Sequence, residues 1–225
     1  MRRLQVVHQL APITPRYLRD QALTPLRDAI VSGTLAPSSP IVIDALAETF
    51  GLSAMPVREA VKRLVADGLV EELPRRAHRV SPLTRRSALD VIEVTEALIV
   101  QAYEVGVPRL GPHDVEAMRT ALLAAQADAD DGDLVRALAA IHEMHAVVYA
   151  ATGNLEYART LRGLVPRFNR ILYLWYTESI ASVGTSYRRD VIDALELGER
   201  ERTVEIVRAA WRRFHDVVSA REDDG

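Results

Sequence analysis

The sequence contains no cysteine in 225 residues, so disulfide bonds and metal sites built on thiolates are excluded. No apolar run approaches the ~20 residues that a membrane-spanning helix needs. The first ten residues lack the apolar segment of a signal peptide. Hydrophobic residues make up 48% of the chain and charged residues 26%, as in soluble globular proteins. These features predict a cytoplasmic protein without membrane contact.

Common catalytic motifs are also absent from the sequence. It has no P-loop, no paired-carboxylate motif and no Ser, His and Asp in a hydrolase order. His142, Glu143 and His145 do not have the His-Glu-x-x-His spacing of zinc hydrolases. We therefore expect that the protein is not an enzyme, and an enzyme built on the C-terminal region is the rival hypothesis.

The charge is unevenly divided along the chain. Residues 1–83 hold 11 Lys and Arg against 8 Asp and Glu, whereas residues 84–225 hold 17 against 23. A basic end joined to an acidic end is typical of a nucleic-acid-binding module attached to a second unit. A difference of this size also arises by chance, so the charge supports this interpretation only together with the motifs.

The N-terminal region begins with a segment that has no periodicity. Residues 1–15 contain two prolines and are predicted to form a flexible leader. Apolar residues then recur at helical spacing up to Ile30. Thr24 and Pro25 predict an N-cap and the first residue of a restarted helix, which ends at Gly33.

Two short helices with a glycine turn between them follow. Asp44 is predicted to cap a helix over 45–50, and Ser53 to cap a third helix that ends near Ala66. Gly51 lies in the turn. A helix-turn-helix places its second helix in the major groove of DNA, so this segment is the candidate DNA-binding element.

A β-hairpin, here called the wing, is predicted after the third helix, with strands over 69–73 and 78–80. Basic side chains lie along the third helix and at the tip of the wing. They are Arg58, Lys62, Arg63, Arg75 and Arg76. Cations offset phosphate charge, and the planar fork of arginine can read guanine. Most charged helix faces are only solvated, so the combination of helices and basic hairpin is what favours DNA binding.

The rest of the chain has helical periodicity throughout. Six helices are expected: apolar residues mark two of them at 88–105 and 115–125, and the others extend over 134–151, 155–179, 187–197 and 200–219. The predicted fold class is mainly α. It comprises a winged helix-turn-helix domain at 16–82 and an all-α bundle at 83–225.

Several segments of the sequence resemble a known family. The segments 26–37 (LRDAIVSGTLAP), 56–64 (PVREAVKRL) and 67–70 (DGLV) are similar to the DNA-binding domain of GntR-family transcriptional regulators. The helix end at 150–154, the acidic break at 130–133 and the segment 194–199 resemble the helical FCD effector domain of the FadR-type subfamily. The resemblance covers roughly residues 17–218.

This resemblance implies a homodimeric regulator that binds a near-palindromic operator in double-stranded DNA. The residues that it points to for DNA contact are Arg27, Ser53, Arg58, Lys62, Arg63, Arg75 and Arg76. The chain departs from the family at two positions. Ala54 stands where the family usually has arginine, and Ala77 stands where it usually has the wing-tip glycine. The usual operator sequence is therefore not expected.

Many FadR-type effector domains hold a metal ion with one aspartate and three histidines. When this pattern is aligned with the chain, His145 is the one metal ligand that is retained. The other three ligand positions carry Ile141, Arg188 and Ala210. His142 and His215 are nearby substitutes that do not complete a site. The resemblance therefore predicts no metal and no cofactor, and His145 is interpreted as a buried, hydrogen-bonded histidine.

Arg188 suggests a different effector chemistry, since a guanidinium binds carboxylates and phosphates directly. The candidate effector-binding residues are therefore His145, Asn169 and Arg188, and the candidate effector is a small anionic metabolite. A surface arginine or a salt bridge is the plainer interpretation of Arg188. A regulator that has lost ligand control and binds DNA constitutively is the alternative function.

Overall fold

The structure is a computed structural model that describes residues 16–175 and 178–221; the predicted leader at 1–15 lies outside these residues. The N-terminal part alternates helices with three short strands. Its elements are α1 (Arg16–Val31), β1 (Pro40–Ile41), α2 (Ile43–Phe50), α3 (Ala54–Ala66), β2 (Val70–Leu73) and β3 (Ala77–Val80). The strands form an antiparallel sheet in the order β1-β3-β2. The predicted winged helix-turn-helix is confirmed.

Two predicted helix starts in this part are wrong. Helix α1 continues through Pro25 instead of restarting there. The ring of Pro25 is exposed while Ala22, Leu23 and Leu26 bury the opposite side, and this packing outweighs the lost backbone hydrogen bond. Helix α2 has Val42 at its N-cap, so Asp44 lies in the first turn. There its carboxylate interacts favourably with the positive end of the helix dipole.

The C-terminal part contains six helices among the described residues. They are α4 (Arg85–Gly106), α5 (Pro112–Asp130), α6 (Leu134–Ala151), α7 (Leu155–Trp175), α8 (Glu178–Glu196) and α9 (Arg200–Ser219). The predicted bounds of α6 and α9 are confirmed. The predicted start of a helix at 187 is wrong, because α8 begins at Glu178 and Gly184 lies inside it. A glycine in a helix interior costs only about 1 kcal/mol, and α8 buries Val191 and Ile192 further along.

Two separate cores hold the described residues together. One draws its buried side chains from between Ala22 and Val80, and the other from between Ala88 and Val218. Helix α6 is, by length and composition alone, apolar enough to cross a membrane, with a mean hydropathy of 1.2. Its side chains Met144 and Val148 are fully buried in the second core, so α6 is a core helix of the bundle.

Helix α7 joins the two parts of the molecule. It packs on α1, and Arg170 donates a hydrogen bond from Nη2 to the carbonyl oxygen of Ser81 in the linker, at 2.6 Å. The side chain of Leu174 lies so close to Gly33 that a Cβ at this position would clash with it. With φ at +76°, Gly33 therefore serves both the end of α1 and this close contact.

Candidate DNA-binding surface and effector cavity

The candidate recognition helix α3 has clearly separate buried and exposed faces. Val57, Ala60, Val61 and Leu64 are buried against the first core. The turn before α3 is set by Gly51, which adopts the left-handed conformation with φ at +63° and ends α2. The predicted Arg58, Lys62 and Arg63 are all exposed, so the structure brings them together on the solvent side of α3.

The basic residues of this surface differ in their partners. Lys62 Nζ lies 2.7 Å from Glu59 Oε1. Arg63 Nε and Arg27 Nη2 lie 3.1 Å and 3.7 Å from the carboxylate of Asp67, which is buried. Arg58 forms no ion pair within the described residues. The arrangement therefore leaves Arg58 available to a base edge, whereas Arg27 and Arg63 brace the ends of α1 and α3.

Ser53 stands at the N-cap of α3, as predicted. Its backbone is extended, with φ at −72° and ψ at 160°, but its hydroxyl makes no capping hydrogen bond. The side chain is exposed. An exposed hydroxyl at a helix N-terminus is well placed to donate to a phosphate oxygen.

The tip of the wing carries Arg75 and Arg76, both exposed and both in the left-handed backbone region, with φ at 64° and 61°. Ala77, at the position where the family usually has glycine, is extended with φ at −75°. The left-handed conformation thus falls on two arginines, where it costs of order 1–3 kcal/mol each.

The helical domain holds His145 in its core, 5% exposed. Its Nδ1 hydrogen-bonds the hydroxyl of Tyr103 at 2.8 Å, and its Nε2 that of Tyr187 at 3.3 Å. Burial first, and then the charge of Arg188, lower the pKa of His145 well below its ordinary value, so the ring is neutral at pH 7. The interpretation of a buried, hydrogen-bonded histidine is confirmed.

Arg188 is buried, 5% exposed, so its interpretation as a surface arginine is wrong. Its guanidinium carbon lies 4.8 Å from the centre of the Tyr187 ring. Together with His145 and Asn169 it lines a small cavity of about 30 Å³. Arg188 also lines a larger cavity of about 420 Å³, whose walls include the apolar Leu172 and Phe214 and the charged Asp130 and Arg189. The three predicted effector residues thus surround one space.

Two further polar side chains at the small cavity were missed by sequence reasoning. The hydroxyl of Tyr149 and the indole Nε1 of Trp211 are buried and have no hydrogen-bond partner within the described part of the chain. Burial raises the pKa of Tyr149, so its hydroxyl stays protonated and can donate. Tyr149 follows His145 by four residues on α6, a helical spacing that could have indicated it.

The residues at the expected metal position do not fit a metal ion. Ile141 and Ala210 offer no donor atom, and Arg188 carries a positive charge. The substitute His215 is exposed and near Ser219 at 3.4 Å, away from the cavity. No group of three or more His, Asp or Glu side chains in residues 16–175 and 178–221 could hold a metal.

Comparisons with known proteins agree with this architecture. Residues 18–80 match the family described as bacterial regulatory proteins of the gntR family, and residues 90–213 match the FCD domain. A "Probable D-xylose utilization operon transcriptional repressor" of Paenarthrobacter nicotinovorans is 27% identical over 190 residues, 83% of this chain and 84% of that protein.

Solved structures share the fold across both parts of the chain. The structure of E. coli McbR/YncC is 21% identical with a TM-score of 0.73, covering 90% of this chain and 97% of that one. A GntR regulator from Rhodococcus sp. RHA1 is 17% identical with a TM-score of 0.76, covering 91% of this chain and 99% of that one. At these identities the likeness establishes the fold alone.

Proposed function

Since the chain belongs to the GntR family of bacterial regulatory proteins and is a DNA-binding transcriptional regulator rather than an enzyme, we propose that it acts as a ligand-responsive repressor in the cytoplasm. The sign of regulation is supported by the relative from P. nicotinovorans, which is named a repressor. The recognition surface is α3 with the wing, and Arg58 is the residue that reads a base.

The observation that carries the effector proposal is the burial of Arg188 in a cavity beside a neutral histidine. A guanidinium out of water favours an anion, because charge-assisted pairing with a carboxylate or phosphate compensates its lost hydration. The described residues that line the same small cavity include His145 and Asn169, whose side chains can hydrogen-bond an anion. We therefore propose a small anionic effector.

The two cavities suggest how such a molecule would be held. The larger one, at about 420 Å³, is in the range of ordinary ligand pockets. The anionic group would pair with Arg188, with Asn169 and the hydroxyl of Tyr149 as hydrogen-bond partners. The body of the molecule would lie against Leu172 and Phe214 in the larger cavity.

We also propose that the regulator works as a homodimer on a near-palindromic operator. One recognition helix reads only a half-site, and two-fold symmetric operators match two-fold symmetric proteins. Light scattering on the protein with and without operator checks this; a monomer in both conditions at micromolar concentration would contradict it.

The effector proposal is tested by screening metabolite carboxylates and phosphates for a thermal shift, and then measuring their effect on operator binding by fluorescence anisotropy. Arg188→Ala should lose the response to the effector and keep its operator affinity, since the two sites lie in different domains. Arg202→Ala, an exposed arginine on α9, is the matched control and should keep both. A wild-type protein that responds to no anion would favour constitutive DNA binding.

A further inference from the structure

A groove of about 360 Å³ separates the end of α3 and the wing from the helical domain. The linker segment 81–84 forms part of its wall, and helix α7 contributes Arg167, Arg170 and Ile171. The groove lies on a different side of α7 from the effector cavity, which is lined by Phe168, Asn169 and Leu172. Neither the recognition surface nor the effector cavity includes it.

Arg170 is 4% exposed in this groove. One terminal nitrogen donates to the Ser81 carbonyl oxygen at 2.6 Å, while its buried Nε donates no hydrogen bond within the described residues. It forms no ion pair with any side chain in that same part of the chain. Burial lowers the pKa of Arg170 to about 10, so the group is still charged at neutral pH.

Arg167 adds a second positive charge to the same wall. Its side chain passes over Gly68, where an added Cβ would lie 3.3 Å from Cδ and Nε. Within residues 16–175 and 178–221 it has no carboxylate partner. Among the described residues that line the groove, the acidic one is Glu71, and its Oε2 is bound by Arg79 at 2.8 Å. Among the described residues, the groove therefore carries an unbalanced charge from two guanidinium groups, one of them buried.

We propose that this groove is a second anion site, which takes a small oxyanion such as phosphate or a carboxylate between Arg167 and Arg170. A buried charge without a counter-charge is unfavourable, and an oxyanion supplies both the charge and the acceptor atoms. Because Arg170 also holds the linker at Ser81, an anion bound there contacts the joint between the two domains.

The test is thermal unfolding of the full chain with inorganic phosphate, and separately with acetate, against sodium chloride at equal ionic strength. Either probe should raise the melting temperature of wild type and of Arg188→Ala alike, which separates this site from the effector cavity. Comparing the melting temperatures with the two probes shows whether the site prefers phosphate or a carboxylate. Arg170→Gln should weaken binding about tenfold or more, as expected for a lost charge-assisted contact.

Arg162→Gln is the matched control, since Arg162 is exposed on the same helix and outside the groove. It should respond to the probes like wild type. If Arg170→Gln does not fold by circular dichroism, Arg167→Gln decides the question, and it should also lose affinity. The proposal is overturned if neither probe stabilises wild type, if both groove variants respond like wild type, or if Arg188→Ala abolishes the response.

Discussion

The arginines proposed to bind partners are placed in opposite ways in the two parts of this molecule. In the DNA-binding part, Arg58, Arg75 and Arg76 are exposed, whereas Arg170 and Arg188 on the helical bundle are buried. An exposed guanidinium keeps its hydration until a phosphate or base replaces it. A buried one has lost hydration already and is stabilised only by hydrogen bonds or an anion. Exposed arginines thus suit a large partner, and buried ones a small one.

Among the exposed arginines, the largest effect on DNA binding is expected from a substitution of Arg58. Arg58→Ala should abolish specific operator binding, because a bidentate base contact contributes about 1–3 kcal/mol of discrimination and α3 offers few substitutes. Fluorescence anisotropy with operator and with unrelated DNA measures this loss. Arg86→Ala, an exposed arginine on α4, is the control and should bind normally. Wild-type affinity in Arg58→Ala would refute the assignment of α3 as the recognition helix.

The buried environment around Arg188 is tested through the neighbouring His145, whose pKa is lowered in the folded state. Below its ordinary pKa of 6.5, the unfolded chain binds a proton that the folded chain excludes. The free energy of unfolding should therefore fall as pH drops from 7.5 to 5, by up to about 1.4 kcal/mol per pH unit for this group.

Denaturant titrations of His145→Gln across that pH range should give a shallower decline than wild type. Part of the decline should persist, because burial also lowers the pKa of His142. His113→Gln, at an exposed position in α5, should leave the decline unchanged. An equal decline in His145→Gln and wild type would mean that this ring takes up a proton in the folded state.

A smaller effect is expected at the tip of the wing. Arg76→Ala should weaken operator binding and unrelated DNA binding by similar factors, and lower the salt slope of binding by about 1, as for a phosphate contact. Binding isotherms at several salt concentrations measure both quantities. A change in sequence preference without a change in salt slope would instead assign Arg76 to a base.

The smallest effect is expected from metal removal. Dialysis against a chelator should leave the melting temperature unchanged, because a metal that binds only the folded state would have stabilised it. Elemental analysis should find no stoichiometric transition metal afterwards. About one zinc, nickel or manganese per chain would show that the interpretation of Ile141, Arg188 and Ala210 is wrong.

Sequence predicted the helices whose ends are marked by local chemistry. Asp133 caps α6 by accepting a hydrogen bond from the Arg136 amide, and Gly198, with φ at +73°, marks the break before α9. The start of α8 could not be predicted in the same way, because Gly184 lies inside the helix and marks neither of its ends. Strand β1 was missed because two residues carry no periodic pattern.

The candidate site was predictable only in part, for a similar reason. His145 and Arg188 stood out through the family resemblance, which fixes positions along the chain. Tyr103 and Tyr187 each lie 42 residues from His145, and only the packing of α4, α6 and α8 brings their hydroxyls to its ring. Such long-range contacts leave no trace in local spacing.

The left-handed backbone at Arg75 and Arg76 has a consequence for the entropy of DNA binding. A flexible glycine tip must lose conformational freedom when it docks, which opposes association. Here the two arginines already hold one turn conformation in the free protein, closed by β2 and β3 pairing on either side. The wing is therefore preorganised: its ordering entropy is lost during folding, and meeting DNA requires little further ordering of its backbone.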